Sequence, residues 1–164
     1  MHAKQIAFLR NFVFGVEDSL VSTVGLLSGI AAAGQSAHTI VLAGIVLIFV
    51  EAFSMGVGSL LSDNSAKEFQ SGIEEPLGKS LRGSLTMFVS YFVSGFIPLA
   101  PYLLLKGTHA FPVSIGVSML ALFALGWITG KVSKISPFRQ GLQMCTIGGA
   151  AILLGVVVGT LVSG

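Results

Sequence analysis

The chain has 164 residues, of which 53% are hydrophobic and 10% charged, with a net charge of +2 and a mean hydropathy of +0.90. Soluble domains carry about 25% charged residues, so this composition excludes an ordinary soluble domain and indicates an integral membrane protein. The 21 glycines and 12 phenylalanines fit closely packed helices in a bilayer. A single cysteine, Cys145, excludes an intramolecular disulfide.

Five stretches are long and apolar enough to cross about 30 Å of hydrocarbon, which takes roughly 20 residues. In chain order the predicted spans are residues 12–34, 40–62, 84–105, 111–130 and 141–163. The sequence therefore predicts an all-α integral membrane protein in which residues 1–164 form a single transmembrane domain of five helices. The connections are short and polar, and the longest of them is a predicted loop over residues 63–83.

The basic residues predict the orientation of the chain in its membrane. Eight of the 9 Lys and Arg residues fall on the side that holds the N-terminus, and only Lys106 falls on the other. Because Lys and Arg collect in cytoplasmic loops, the N-terminus and the 63–83 loop are predicted to be cytoplasmic. The C-terminus at Gly164 is then predicted outside the cell or in a lumen.

Carboxylates lie inside the first two predicted spans. The stretch "FVFGVEDSLVSTVGLLSGIAAAG" carries Glu17 and Asp18 side by side, and the second span carries Glu51. At 1.5 Å of helix rise per residue, Asp18 lies on the order of 9 Å from the cytoplasmic edge and Met55 roughly 8 Å from it. Glu51 lies one turn deeper than Met55 on the same helix face. Asp18 and Met55 are therefore predicted at nearly the same depth on adjacent antiparallel helices, with Glu51 one turn deeper.

An ionised carboxylate in hydrocarbon costs several kcal/mol unless it is paired, hydrated or protonated. No Lys or Arg lies within the five predicted spans, which leaves protonation, water or a metal cation. Carboxylate oxygens together with a thioether suit a first-row divalent ion such as Fe²⁺, whereas an all-oxygen site suits Mg²⁺ or Ca²⁺. We therefore predict a metal and proton pathway at Asp18, Glu51 and Met55.

Other residues near this pathway are weaker candidates. Ser22 shares the helix face of Asp18, and Ser54 precedes Met55. Glu17 points about 100° away from Asp18, so it reaches either a neighbouring subunit or the membrane surface. Small residues in the first, second and fifth spans predict close helix packing, and those of the fifth span form a GxxxG pattern that would also suit a dimer interface. The predicted packing glycines are Gly25, Gly29, Gly58, Gly155 and Gly159.

Four segments resemble, in order, those of the vacuolar iron transporter family: "VFGVEDSLVSTVGLLSGIAAAG", "EAFSMGVGSLLS", "PLAPYLL" and "SPFRQGLQMCTIGGAAILLGVVVGTL". The resemblance implies a homodimer that exports Fe²⁺, sometimes Mn²⁺, from the cytosol in exchange for H⁺, along a pathway at the dimer interface. Asp18 matches the family's first-span Asp, and Met55 the Met of its "SM" motif. It further implies a multi-pass protein of the cell membrane in a prokaryote, or of a vacuolar-type membrane in a eukaryote.

One departure from the family pattern stands out. Typical members insert a Glu-rich cytoplasmic domain that captures metal between spans two and three, where this chain has only residues 63–83. Many members also carry a Glu in a "GEYxS" pattern where this chain has Ser59. The chain is thus predicted to be a short form without the capture domain.

Two alternatives to a proton-coupled exporter remain open. The first is a passive metal channel, which is a variant of the exporter. The second belongs to another functional class and is a transport-inactive membrane scaffold or regulator. An intramembrane enzyme is disfavoured, because the sequence has no HExxH, no GxSxG and no clustered His. We expect no cofactor and no nucleic-acid partner; the expected partners are a second copy, lipid and divalent metal ions.

Overall fold

The computed structural model describes residues 3–105 and 109–164, with side chains from residue 5 onward. The described residues form five α helices and one 3₁₀ turn and contain no strand: α1 (Ala3–Ala32), α2 (Ala37–Ser71), the 3₁₀ turn (Leu77–Lys79), α3 (Leu81–Leu104), α4 (Ala110–Val132) and α5 (Pro137–Ser163). All five helices are long and apolar enough to cross a membrane. The predicted all-α membrane fold with five spans is confirmed.

Two helices are longer than the apolar runs that predicted them. Helix α1 begins at Ala3 rather than at residue 12, and α2 continues to Ser71 rather than ending at residue 62. Gly72 then ends α2 in the left-handed conformation, with φ of 70°, and its N–H donates to the Glu68 carbonyl at 2.8 Å. Hydropathy marks only the part of a helix that lies in lipid, so the connection to α3 is shorter than the predicted 63–83 loop.

Helix α1 lies at the centre of the bundle. It packs against each of the other four helices, while α2 packs on α3, and α5 on α4. Leu20, Val24 and Leu27 of α1 are fully buried. Many apolar side chains on the outer helices face outward, as lipid contact requires; Phe53 of α2 is 66% exposed and Leu120 of α4 is 71% exposed.

Glycines bring α1 and α5 into backbone contact. A Cβ added at Gly29 would lie 2.6 Å from the Gly155 carbonyl oxygen, and one added at Gly155 or Gly159 would overlap the carbonyl oxygen of Gly25 or Gly29. The GxxxG pattern of the fifth span is thus occupied within the chain. Gly58 differs, because a Cβ there meets open space among the described residues.

Polar contacts tie the helix ends together on the N-terminal side of the bundle. Arg10 of α1 forms an ion pair with Asp63 of α2 at 3.0 Å. The buried Asn11 donates through Nδ2 to the Ser59 hydroxyl at 3.4 Å. The hydroxyl of Ser59 therefore joins α2 to α1.

The described basic side chains all lie at this same end. They lie near the start of α1, near the end of α2, near the start of α3 and around the α4–α5 connection. These residues are Arg10, Lys67, Lys79, Arg82, Lys131, Lys134 and Arg139. Lys106 lies outside the described residues, as does the side chain of Lys4. The cytoplasmic orientation of this end stays a prediction.

Candidate functional site

The fold brings the two predicted carboxylates together. Asp18 of α1 and Glu51 of α2 lie close enough for their charges to interact, and both side chains are half-buried. The ion pairs among the described residues are Arg10–Asp63 and Lys79–Glu75, so no cation of this part of the chain neutralises Asp18 or Glu51. Two uncompensated carboxylates from antiparallel helices form the centre of the candidate site.

The rotation of α1 that presents Asp18 is fixed by the residue next to it. Ser19 is fully buried and donates its hydroxyl to the backbone carbonyl of Tyr91 on α3 at 2.7 Å. Gly95, one turn along α3, makes room for this contact, since a Cβ there would lie 2.9 Å from the Ser19 oxygen. With Ser19 held against α3, Asp18 must project from a different side of α1.

The remaining predicted residues occupy different positions around the pair. Ser22 is half-buried and bonds to the Tyr91 hydroxyl at 2.8 Å. Met55 is half-buried one turn along α2 from Glu51, whereas Ser54 faces outward. Glu17 is half-buried, and its charge interacts with that of Asp18.

Tyr91 is a residue of this site that the sequence analysis missed. Its side chain is completely buried, and besides its bond to Ser22 its hydroxyl interacts electrostatically with both Asp18 and Glu51. One sequence feature could have identified it: a single Tyr stands among the phenylalanines of "FVSYFVSGF". A phenol buried in hydrocarbon needs a polar partner.

The side chains around the carboxylate pair offer several oxygen donors and one sulfur donor. Among the described residues no group of three or more His, Cys, Asp or Glu side chains is arranged to hold a metal ion. One chain offers two carboxylates, the hydroxyls of Ser22 and Tyr91, and a thioether one turn away.

The site opens towards the surface of the helix bundle. Around Glu51 and Met55, the outward face of α2 carries apolar side chains, with Val50 59% and Phe53 66% exposed. A groove of about 760 Å³ starts at Ser22 and runs between α1 and α5 towards the end of the bundle that holds Gln35.

The fold defines a multi-pass integral membrane protein, and two of its candidate membrane-spanning helices carry the carboxylate pair. A family model described as the VIT family matches residues 9–75 and 68–160, and the chain belongs to that family. It is 24% identical to "Vacuolar iron transporter 1" of Oryza sativa subsp. japonica and to that of Arabidopsis thaliana, over 87% of this chain and 81% of each relative. It is 28% identical to "Vacuolar iron transporter homolog 4" of Arabidopsis thaliana, over 90% of this chain and 80% of that protein. The predicted family and the classification as a membrane transporter rather than an enzyme are confirmed.

The alignments also show that the chain is shorter than some of its relatives. The alignment to the rice relative spans 203 positions but only 87% of this chain, so that relative has many residues without a counterpart here. The alignment to homolog 4 spans 162 positions over 90% of the chain, which leaves far fewer. The two family-model matches meet at residues 68–75, where α2 ends, and this agrees with a shortened connection between α2 and α3.

Proposed function

We propose that this metal transporter is a proton-coupled exporter that moves Fe²⁺ or Mn²⁺ out of the cytosol. The observation that carries the proposal is the uncompensated pair Asp18 and Glu51, on adjacent helices within the predicted membrane spans. Such a pair is stable in a membrane only when its charge is removed by a bound partner. The names of the relatives support iron as the cargo.

Exchange of metal for protons follows from the charge of the pair. One divalent cation neutralises both carboxylates, and two protons do the same. The empty pair with both carboxylates ionised has the highest free energy, because two like charges then lie side by side in a low dielectric. A site that avoids this state releases its metal as it takes up protons, and releases its protons as it binds metal.

Met55 supports the choice of metal. Its thioether lies one turn from Glu51 on the same face of α2 and is half-buried. Sulfur is a poor ligand for Mg²⁺ and Ca²⁺ and an acceptable one for later first-row ions. A thioether next to the carboxylates therefore favours Fe²⁺ over the far more abundant Mg²⁺.

A second copy of the chain would complete the site. Asp18 and Glu51 are only half-buried, and the α2 surface around them is apolar. Lipid tails over half-exposed carboxylates would be costly, whereas the same face of a second subunit would cover them and add its own ligands. This argument supports a homodimer with the pathway at its interface.

Metal uptake into proteoliposomes tests the proposal. We expect Fe²⁺ and Mn²⁺ to enter the vesicles, with Co²⁺ and Zn²⁺ measured beside them, and we expect uptake to accelerate when a pH difference is imposed. Asp18→Asn keeps the shape but removes the charge, and should reduce uptake to the level of protein-free vesicles. Glu74→Gln, an exposed acid outside the spans, is the matched control and should transport normally.

Three results separate the alternatives. Undiminished uptake by Asp18→Asn would contradict the assigned site. Uptake that ignores the pH difference would favour a passive channel. A folded wild-type protein that carries none of the four metals would favour the transport-inactive scaffold.

A further inference from the structure

The hydroxyl of Tyr91 is a buried polar group that the proposed carboxylate pathway does not explain. Tyr91 lies within α3 and is fully buried, and its oxygen is 2.8 Å from the Ser22 hydroxyl. Ser22 follows Asp18 by one turn of α1, about 6 Å along the helix axis. The bond to Ser22 therefore places the phenol oxygen beside the carboxylate pair and not in the apolar core.

The position of this hydroxyl is fixed by two neighbouring serines. Ser19 bonds to the Tyr91 backbone carbonyl at 2.7 Å, and Ser22 to its side-chain oxygen at 2.8 Å. One residue of α3 is thus held at both ends by a single turn of α1. A group held in this way is preorganised and loses little conformational entropy when it binds a ligand.

Hydrogen-bonding capacity remains at the hydroxyl pair. Two hydroxyls have two donors and four acceptor positions, and the bond between them uses one of each. Within the described part of the chain, the Ser22 hydroxyl makes one other hydrogen bond, a long one of 3.4 Å to the Ser19 carbonyl. Among the described residues neither Asp18 nor Glu51 accepts a hydrogen bond from Tyr91 or Ser22, although their charges interact with the phenol.

A hydrated cation fits between these groups. Mn²⁺ in an oxygen environment prefers six ligands, and two carboxylates supply at most four of them. Some coordination positions must therefore be filled by water or by neutral oxygens. Water on a divalent cation is a strong donor and needs acceptors such as hydroxyl oxygens.

We propose that Tyr91 and Ser22 act as a positioning pair, whose hydroxyls hold a water molecule of a partly hydrated divalent cation bound by Asp18 and Glu51. This inference rests on the proposed function. It assigns to α3 a part in metal binding that the motifs of the first two spans do not contain. Tyr91 need not touch the ion, because its contribution is to the affinity and geometry of the hydrated ion.

Tyr91→Phe removes only the hydroxyl and tests the proposal. We expect the KM for Mn²⁺ uptake and the Kd for Mn²⁺, by calorimetry on the purified protein, both to rise about tenfold, as for one lost hydrogen bond to a charged group. The maximal rate should change less than twofold. Tyr102→Phe is the matched control: Tyr102 is also buried, lies on the same helix about 16 Å away, and should bind and transport as the wild type does.

A double-mutant cycle separates metal binding from packing. Ser22→Ala should raise the Kd in the same direction, and the double variant should be no worse than Tyr91→Phe alone, because the two hydroxyls act on one water. Additive effects of the two substitutions would contradict a shared water. Should Tyr91→Phe not fold, Ser22→Ala alone carries the test, and an unchanged Kd in that variant overturns the proposal.

The result for Asp18→Asn distinguishes the two levels of the account. If Asp18→Asn abolishes uptake while Tyr91→Phe matches both the wild type and Tyr102→Phe, the positioning pair is wrong and the carboxylate site stands. If Asp18→Asn transports normally, both are wrong.

Discussion

At the scale of single residues, Glu17 and Asp18 show how neighbouring acids acquire different surroundings. The two side chains point about 100° apart on α1. Asp18 meets Glu51 of α2, whereas the charge interaction of Glu17 is with Asp18 itself. The site is therefore centred on Asp18 and Glu51, with Glu17 beside it.

Neutralising the three acids one at a time should reveal this ranking. Glu51→Gln is expected to lower metal uptake by at least tenfold, because a single carboxylate cannot balance a divalent charge. Glu17→Gln should lower uptake by less than threefold. Initial rates at equal protein density measure both, and a larger loss in Glu17→Gln than in Glu51→Gln would reverse the assignment.

Met55 should affect the choice of metal more than the rate. Met55→Leu keeps the volume and apolar character of the side chain and removes the sulfur. We expect Mg²⁺ in excess to inhibit Fe²⁺ uptake in this variant at about tenfold lower concentration than in the wild type. Met119→Leu on α4 serves as the control, and equal Mg²⁺ sensitivity of both variants would exclude a ligand role for Met55.

At the scale of helices, the contact between α1 and α5 holds the central helix in place. Gly29 and Gly155 meet with no room for side chains, since a Cβ on either would run into backbone of the other helix. Backbone carbonyls cannot move aside as flexible side chains do. The site on α1 therefore depends on glycines that lie outside it.

Gly155→Ala should therefore destabilise the protein, although alanine favours helices. Overpacking of this kind costs roughly 1–3 kcal/mol, which outweighs a gain in helix propensity of about 1 kcal/mol. Gly149→Ala on the same helix meets open space and is the matched control. Thermal unfolding in detergent compares the two, and equal melting temperatures would contradict the packing argument.

At the scale of the whole molecule, the account requires a second subunit over the α1–α2 face. Half-buried carboxylates and an outward-facing Ser54 lie on this face, within an apolar surround. Lipid tails alone would leave the carboxylates without a polar partner. The two-fold axis of the proposed dimer then passes close to α2.

Cross-linking in membranes locates this axis. In a Cys145→Ser background, Ser54→Cys should form a disulfide-linked dimer on mild oxidation. Leu120→Cys on the exposed face of α4 should stay monomeric. The reverse pattern would place the interface on α4 and leave the carboxylates facing lipid.

The sequence predicted the parts of this protein that hydropathy and charge encode. The five spans follow from apolar length. The depth estimate paired Asp18 with Met55 and put Glu51 one turn deeper on the same face of α2, and in the structure the charges of Asp18 and Glu51 lie close enough to interact. Three features could not be found in this way. The polar end of α2 continues as helix until Gly72, because helix propensity does not stop where hydrophobicity does.

The role of Tyr91 could not be predicted from the sequence for a different physical reason. Its role depends on how α3 is rotated against α1, and that rotation is set by the Ser19 contact and by the space at Gly95. Neither depth nor periodicity along one helix contains this information. The same holds for the GxxxG glycines, whose partner could be identified only once α5 was seen to lie on α1.

The most direct test of the central claim is an anomalous-difference map from crystals of the protein grown with Mn²⁺. The account predicts a peak between the carboxylates of Asp18 and Glu51, which disappears in crystals of Asp18→Asn grown under the same conditions. A peak bound elsewhere, or one that persists at this position after the substitution, would contradict it.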